Sequence, residues 1–138
     1  MYISPYVFLT INAEHGPKMQ DIECLERLRR FRIPHQVILN RADHVLRGSW
    51  EGKVMRSNQK YCEEGFQNLQ KRLREVKELV QPSDLKPGHI PGKGEIIAYG
   101  TAQEGAFGIS HLRWAVLQAA DLDRLYYKEH SQGKNTAA

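Results

Sequence analysis

A short polar motif follows an apolar run and is the best candidate binding motif in the chain. The run covers residues 34–39, and the motif is Asn40, Arg41, Ala42 and Asp43. A carboxylate held just past the end of a strand can accept hydrogen bonds from N1 and N2 of guanine, donors that adenine lacks. Each such charge-assisted bond contributes about 1.5–3 kcal/mol. Asp43 is therefore predicted to select guanine.

A second strand end further along the chain has the residues to complete such a site. The apolar run 95–99 is followed by Gly100, Thr101 and Ala102. A small residue here lets a base approach the backbone closely enough for an N–H group to donate to guanine O6. The two strand ends together predict a guanine-binding site made of Asn40, Arg41, Asp43, Thr101 and Ala102.

These motifs, with the turn His15-Gly16-Pro17-Lys18, resemble the C-terminal half of EngB-type (YihA-like) GTPases. That family assists ribosome assembly and belongs to the P-loop GTPases related to translation factors. The resemblance is carried by residues 8–18, Asp21, 33–43, Gly108, Ile109 and Leu112. It extends from about Tyr6 to about Leu122. It implies GTP or GDP as ligand, Mg²⁺ in the complete family member, ribosomal RNA or a ribosomal subunit as partner, and a mitochondrial, alternatively cytoplasmic, location.

Three positions depart from the usual family pattern. Arg41 stands where a Lys is usual, Asn12 where an Asp is usual, and Thr101 where a Ser is common. The guanidinium of Arg41 can also cover the face of a base. None of the three changes removes a donor or acceptor that the guanine ring requires.

The phosphate-binding loop of P-loop GTPases has no counterpart in the chain. That loop reads Gly-x-x-x-x-Gly-Lys-Ser/Thr and lies between a strand and a helix. The nearest stretch, residues 88–94, is too short between its first glycines and lacks the hydroxyl residue, so it is predicted to be a linker. No Asp-x-x-Gly switch motif occurs. We therefore expect a truncated domain whose phosphate-binding half preceded Met1, with no ligands for Mg²⁺ and no GTP hydrolysis by this chain alone.

Strand-like and helix-like segments alternate along the sequence. Strands are predicted at 6–11, 37–39 and 95–99, and helices at 18–31, from a Ser57 cap to about 80, and at 109–122. This order predicts an α/β fold, a three-layer partial P-loop GTPase domain with a parallel sheet of about three strands flanked by helices. Ligands of such sheets bind at the carboxyl ends of the strands. Residues 1–127 are assigned to this domain and residues 128–138 to a disordered tail.

Helical periodicity predicts which side chains face the core. On the long helix the apolar residues are Cys62, Phe66, Leu69, Leu73, Val76 and Val80, and on the last helix Leu112, Val116 and Ala119. The long helix also carries Lys71, Arg72, Arg74 and Lys77 among glutamates, a mixed-sign pattern typical of a solvated face. His15 is expected to fix the turn after the first strand rather than to act as a base.

The composition fits a globular domain rather than a membrane protein. Hydrophobic residues make up 41% of the chain and charged residues 26%, and no apolar run reaches the length of a membrane span. Cys24 and Cys62 are widely spaced and form no Cys-x-x-Cys motif. This usage indicates a reducing compartment and argues against a zinc site.

Basic segments support a second interpretation, an RNA-binding or protein-binding module that binds no nucleotide. The net charge is +4, and Arg27, Arg29, Arg30 and Arg32 cluster around the first predicted helix. The predicted loop 44–56 carries Trp50 between Arg47 and Lys53, where it can stack on RNA or fold back onto the domain. An unrelated small α/β enzyme is the third possibility.

The first strand is expected to present an open edge. In a complete G domain it would pair with the phosphate-loop strand, which this chain lacks. Tyr6, Val7, Phe8, Leu9 and Ile11 would then form an apolar edge that can pair with another chain.

Overall fold

The computed structural model describes residues 5–54, 60–101 and 106–121. The chain divides into two units, Met1–Gly108 and Ile109–Ala138. The first unit contains β1 (Val7–Asn12), α1 (Met19–Arg30), β2 (His35–Asn40), α2 (Ala42–Leu46), β3 (Ser49–Trp50), β4 (Lys53–Val54), α3 (Glu63–Val80) and β5 (Ile97–Ala98). The second unit contains α4 (Ile109–Ala119). The predicted tail, residues 128–138, lies outside the described residues.

A three-stranded parallel sheet forms the centre of the first unit. The strand order is β1-β2-β5, so β2 is the middle strand. Its register runs from Val7 opposite His35 to Asn12 opposite Asn40, and β5 pairs Ile97 with Ile38. The prediction of an α/β fold with about three parallel strands flanked by helices is confirmed. The third strand is shorter than predicted, because only two residues after Ile96 pair with β2.

The core lies between the sheet and its helices. Its buried members from the sheet are Ile11, Val37 and Leu39, and those from the helices are Leu25, Val45, Leu46, Leu69, Val76 and Val80. Because both faces of β2 are covered, five consecutive residues of this strand are buried, and buried residues do not alternate with exposed ones.

The first strand borders the sheet in the part of the chain that the structure describes, as predicted. Val7, Phe8 and Leu9 are half-buried, but Ile11 is fully buried in the core. Side chains point to the faces of a sheet, and only backbone groups point along its edge. The prediction that Ile11 belongs to an exposed apolar edge was therefore wrong.

The long helix begins later than predicted. Cys62 is its N-cap, and the Cys62 Sγ accepts a hydrogen bond from the Gly65 N–H at 3.4 Å. The Cys62 N–H donates to the Leu46 carbonyl at 2.9 Å, which fixes this end of the helix against α2. The prediction of a Ser57 cap was wrong, and Ser57 itself lies outside the described residues.

The apolar face of α3 is largely as predicted. Leu69, Val76 and Val80 are buried, and Leu73 packs against them. Phe66 is exposed, contrary to prediction, because Gly65 occupies the close contact with α2 instead. In the second unit the buried face of α4 is shifted in the same way: Ala115 is buried, whereas Val116 is 47% exposed. None of the helices in the described ranges is long and apolar enough to cross a membrane.

The predicted loop 44–56 contains regular structure. It holds most of α2 and the antiparallel hairpin β3–β4, in which Ser49 pairs with Val54. The hairpin turn is Glu51-Gly52, with φ of 50° and 80°. Two consecutive positive φ values are typical of the type I′ turn that matches the twist of paired strands. The turn pair Glu51-Gly52 lacks the Asn, Asp or Gly that usually precedes the glycine of such a turn, so the sequence signal was too weak to predict it.

Gly65 is the residue on which the α2–α3 contact depends, and its replacement by Ala should destabilise the domain. A Cβ atom there would overlap the Leu46 carbonyl oxygen and lie 2.6 Å from the carbonyl carbon. We expect Gly65→Ala to lower the free energy of unfolding by about 1–3 kcal/mol, although Ala favours helices. Urea denaturation measures the loss. The control is Gln67→Ala on the exposed face of α3, expected within about 0.5 kcal/mol of wild type. An unchanged or higher stability for Gly65→Ala would contradict the contact.

Candidate functional site

The ends of β2 and β5 meet at one edge of the sheet. The Tyr99 N–H donates to the Leu39 carbonyl at 3.0 Å, and the Ala42 N–H donates to the Tyr99 carbonyl at 3.2 Å. These backbone bonds join the polar motif after β2 to the segment after β5. Both segments follow the carboxyl ends of parallel strands, where crevices for ligands form in α/β sheets.

Arg41 makes the turn between β2 and α2. Its backbone is left-handed, with φ of 55°, and its side chain is exposed. This conformation is uncommon for a residue with a Cβ atom and is found most often where a turn requires it. It allows α2 to begin at Ala42, so Asp43 lies in the first turn of that helix.

Asp43 packs directly against Gly100. The carboxyl residue is 6% exposed, and a Cβ atom on Gly100 would lie 2.6 Å from the Asp43 Cβ and 3.0 Å from its Cγ. Only a glycine allows this approach. Two backbone hydrogen bonds hold Gly100 beside Phe107. The Gly100 N–H donates to the Phe107 carbonyl at 3.2 Å, and the Phe107 N–H donates to the Gly100 carbonyl at 3.1 Å. Gly100 was not among the residues predicted for the site, although its position directly before Thr101 was a usable signal.

The other predicted guanine-binding residues flank this contact or lie outside the description. Thr101 is exposed and follows Gly100, whereas Ala102 lies outside the described residues. Asn40 is half-buried, and its Oδ1 atom is buried without a hydrogen-bond partner in the described part of the chain. The structure thus brings Asn40, Arg41, Asp43 and Thr101 to one edge.

Glu14, which was not among the residues predicted for the site, is buried at the same edge. The Ser49 hydroxyl donates to Glu14 Oε1 at 2.7 Å. His44 lies between two buried carboxylates, with Nδ1 3.8 Å from Glu14 Oε2 and Nε2 3.9 Å from Asp43 Oδ2. No cluster in the described ranges has three or more side chains arranged to hold a metal ion.

Asn12 holds the turn after β1. Its Oδ1 accepts hydrogen bonds from the backbone N–H groups of Glu14 at 2.9 Å and His15 at 3.2 Å. An amide oxygen accepts these bonds as a carboxylate would, so the departure from Asp preserves the turn. His15 is exposed, and this turn is held by Asn12 rather than by the imidazole ring that was expected to fix it.

Arg72 connects α3 to the same loop. It is 4% exposed, and it donates from Nε to the Ala13 carbonyl at 2.9 Å and from Nη2 to the Glu14 carbonyl at 3.2 Å. Its Nη1 donates to Glu75 Oε2 at 2.9 Å. The interpretation of Arg72 as part of a solvated stripe was wrong. The backbone carbonyls that bury it come from residues distant in sequence, which a helical pattern cannot indicate.

Trp50 also packs on this guanidinium. The Arg72 Cζ lies 4.3 Å from the centroid of the indole ring, within the range of a cation–π contact. Trp50 is half-buried and packs against the core. Of the two alternatives for this residue, the structure therefore favours folding back onto the domain over presentation for stacking on RNA.

The stretch 88–94 lies at the opposite end of β2 from Asp43. The Lys93 N–H donates to the His35 carbonyl at 2.7 Å, and the Gly92 N–H donates to the Val80 carbonyl at 3.1 Å. His35 is the first residue of β2, whereas Asp43 follows its last. A six-residue strand extends roughly 20 Å. This segment thus connects α3 to the start of the sheet, in keeping with its interpretation as a linker.

A scan against family models gives no match, and a search of the curated proteins gives none either. The resemblance to EngB-type GTPases therefore stays a prediction, carried by the residues quoted for it above.

Proposed function

We propose that the chain binds guanine nucleotides at the edge formed by the ends of β2 and β5. The observation that carries the proposal is the packing of Asp43 against Gly100, which joins the two segments whose motifs indicate a base site. The Asp43 carboxylate accepts hydrogen bonds from N1–H and N2–H of the base. The backbone N–H groups near Thr101 and Ala102 donate to O6.

Arg41 and Asn40 complete the proposed site. The exposed guanidinium of Arg41 and its aliphatic stem can lie over the ring of the base. The unpartnered Oδ1 of Asn40 requires a donor, because a buried polar atom without one costs about 1–3 kcal/mol. A bound ligand can supply that donor.

The proposed site selects the base strongly but binds it weakly. Two charge-assisted hydrogen bonds favour guanine over adenine by about 3–6 kcal/mol, more than a hundredfold. Phosphates and Mg²⁺ contribute much of the affinity in complete P-loop proteins, and the sequence has no loop for them. A base must also displace the groups that cover Asp43, including His44 at 3.9 Å. We expect a dissociation constant of about 0.1 mM or weaker.

The wider assignment is to an EngB-type G domain, with ribosome assembly as its role and the mitochondrion as its location. The parallel strand order β1-β2-β5 with helices between the strands is compatible with it. The proposed activity is the binding of GTP or GDP and does not include hydrolysis of GTP. Hydrolysis requires Mg²⁺ and a positioned water at the γ-phosphate, and the sequence offers no motif for either.

A series of three nucleosides tests the proposal by removing the proposed hydrogen bonds in two steps, first that of N2–H and then those of N1–H and O6 together. Inosine lacks the exocyclic N2 amine, so it should bind about tenfold more weakly than guanosine, and adenosine should bind more weakly still. A titration followed by NMR amide chemical shifts gives both the affinity for the nucleoside and the location of its binding site. The amide signals of Gly100 and Thr101 should be among those that shift. Equal binding of guanosine and adenosine, or shifts confined to another part of the chain, would refute it.

A further inference from the structure

An exposed aromatic side chain surrounded by arginines lies at the C-terminal end of α1. Phe31 is 67% exposed, and the Arg30 Cζ lies 5.8 Å from the centroid of its ring. Arg27 and Arg32 are exposed beside it. We call Phe31, Arg27, Arg30 and Arg32 the Phe31 patch.

The backbone holds this patch in a fixed geometry. The Ile33 N–H donates to the Leu28 carbonyl at 2.9 Å, and the Arg32 N–H donates to the Arg29 carbonyl at 3.2 Å. Together with the left-handed φ of 55° at Arg32, these bonds form the Schellman motif that ends many helices. Leu28 is buried, which anchors the motif to the core. Phe31 is thus presented from a rigid helix end.

Two residue choices in the motif oppose stability. The left-handed position of a Schellman motif is usually Gly, because a Cβ atom is disfavoured there, yet this chain has Arg32. The adjacent Phe31 leaves most of an aromatic ring in water, where it gains little from burial. A strained backbone position and an exposed aromatic ring, side by side, suggest that both side chains serve an interaction.

We propose that the Phe31 patch binds single-stranded RNA. An aromatic ring can stack on an unpaired base, and the exposed arginines of the patch can contact the phosphates or extend the stack. The net charge of +4 favours an anionic partner. Glu26 on the same helix lies 3.8 Å from Lys86, so a basic side chain also stands beside this carboxylate.

The patch is separate from the proposed guanine site. It immediately precedes the amino end of β2, whereas Asp43 follows the carboxyl end. The strand between them spans roughly 20 Å. Variants of the patch therefore test RNA binding without touching the base-selecting residues, and the two proposals can fail independently.

Fluorescence anisotropy of the full chain with labelled decauridine tests the proposal. At about 50 mM salt we expect measurable binding, with Phe31→Ala about tenfold weaker and Phe31→Tyr close to wild type, because stacking needs only the ring. Arg30→Gln should weaken binding several-fold and reduce the slope of log affinity against log salt by about 0.7. The matched control is Arg74→Gln, which removes one exposed charge from α3 and should change binding less than twofold.

Arg32→Gly separates an RNA-binding role from a structural one. Gly relieves the left-handed backbone, so the urea midpoint of unfolding should rise, while decauridine binding should fall several-fold. A purely structural role gives no loss of binding. The proposal is overturned if decauridine does not bind at low salt, or if Phe31→Ala or Arg32→Gly binds as wild type. It is also overturned if Arg74→Gln loses as much binding as Arg30→Gln, or if duplex RNA or polyglutamate binds more tightly than decauridine.

Discussion

Replacing Asp43 by Asn should reverse the base preference of the chain from guanine to xanthine. The Asn oxygen can still accept from N1–H, but its Nδ2 group donates where the carboxylate accepted. In the variant, the N2 amine of guanine would face another donor, the Nδ2 group, and could not bond to it. The C2 carbonyl of xanthine is an acceptor and would accept a hydrogen bond from the same Nδ2 group. We expect guanosine binding to fall at least tenfold and xanthosine to bind more tightly than guanosine.

The measurement is the same chemical-shift titration, carried out with guanosine and xanthosine on both proteins. Asp84→Asn makes the same substitution at an exposed position and should leave the guanosine affinity unchanged. Because Asp43 is buried, the urea midpoint of Asp43→Asn is measured in parallel to show that the variant is folded. Retained preference for guanosine in a folded Asp43→Asn protein would exclude this carboxylate as the selector.

Arg72→Met should cause the largest loss of stability. Arg72 is 4% exposed, and its guanidinium donates to the carbonyls of Ala13 and Glu14 and packs on the half-buried Trp50. Met fills a similar volume but leaves both buried carbonyls without their donor and Glu75 without its partner. Breaking buried ionic hydrogen bonds from one side typically costs about 3–5 kcal/mol. We expect a loss of that size in the free energy of unfolding, measured by urea denaturation.

Two further variants at Arg72 and beside it make the result interpretable. Arg72→Lys keeps the charge but cannot donate to both carbonyls from one planar group, so it should recover less than half of the loss. Arg74→Met removes an exposed arginine from the same helix and should stay within about 0.5 kcal/mol of wild type. Equal stabilities for the Arg72→Met and Arg74→Met proteins would contradict the structural role of Arg72.

The local spacing of apolar residues was sufficient to predict the main helices and strands of the fold. The first helix was predicted to within one residue at each end, at 18–31 against Met19–Arg30. The apolar spacing of Leu69, Val76 and Val80 correctly gave the buried face of α3. Such signals are strong because each element repeats its contact with the core every few residues, so the pattern is written in the local sequence.

Contacts between distant segments could not be predicted in this way. Cys62 caps α3 because the Leu46 carbonyl binds its N–H, and Gly100 matters because Asp43 lies against it. Arg72 carries the same local signal as its solvated neighbours, and only the carbonyls of the loop after β1 distinguish it. In each case the partner is far away in sequence, and the residue type alone is compatible with a surface position.

The sequence by itself determined the alternation of strands and helices and the parallel sheet, and it indicated the residues that are predicted to recognise a guanine base. The tertiary structure decided which of those residues meet, because the hydrogen-bonded register of β2 with β5 fixes what lies beside Asp43. It also decided that Arg72 and Trp50 pack on each other within the domain. A helix pattern records only which side of an element is apolar, whereas a buried charge is set by the carbonyl groups that surround it.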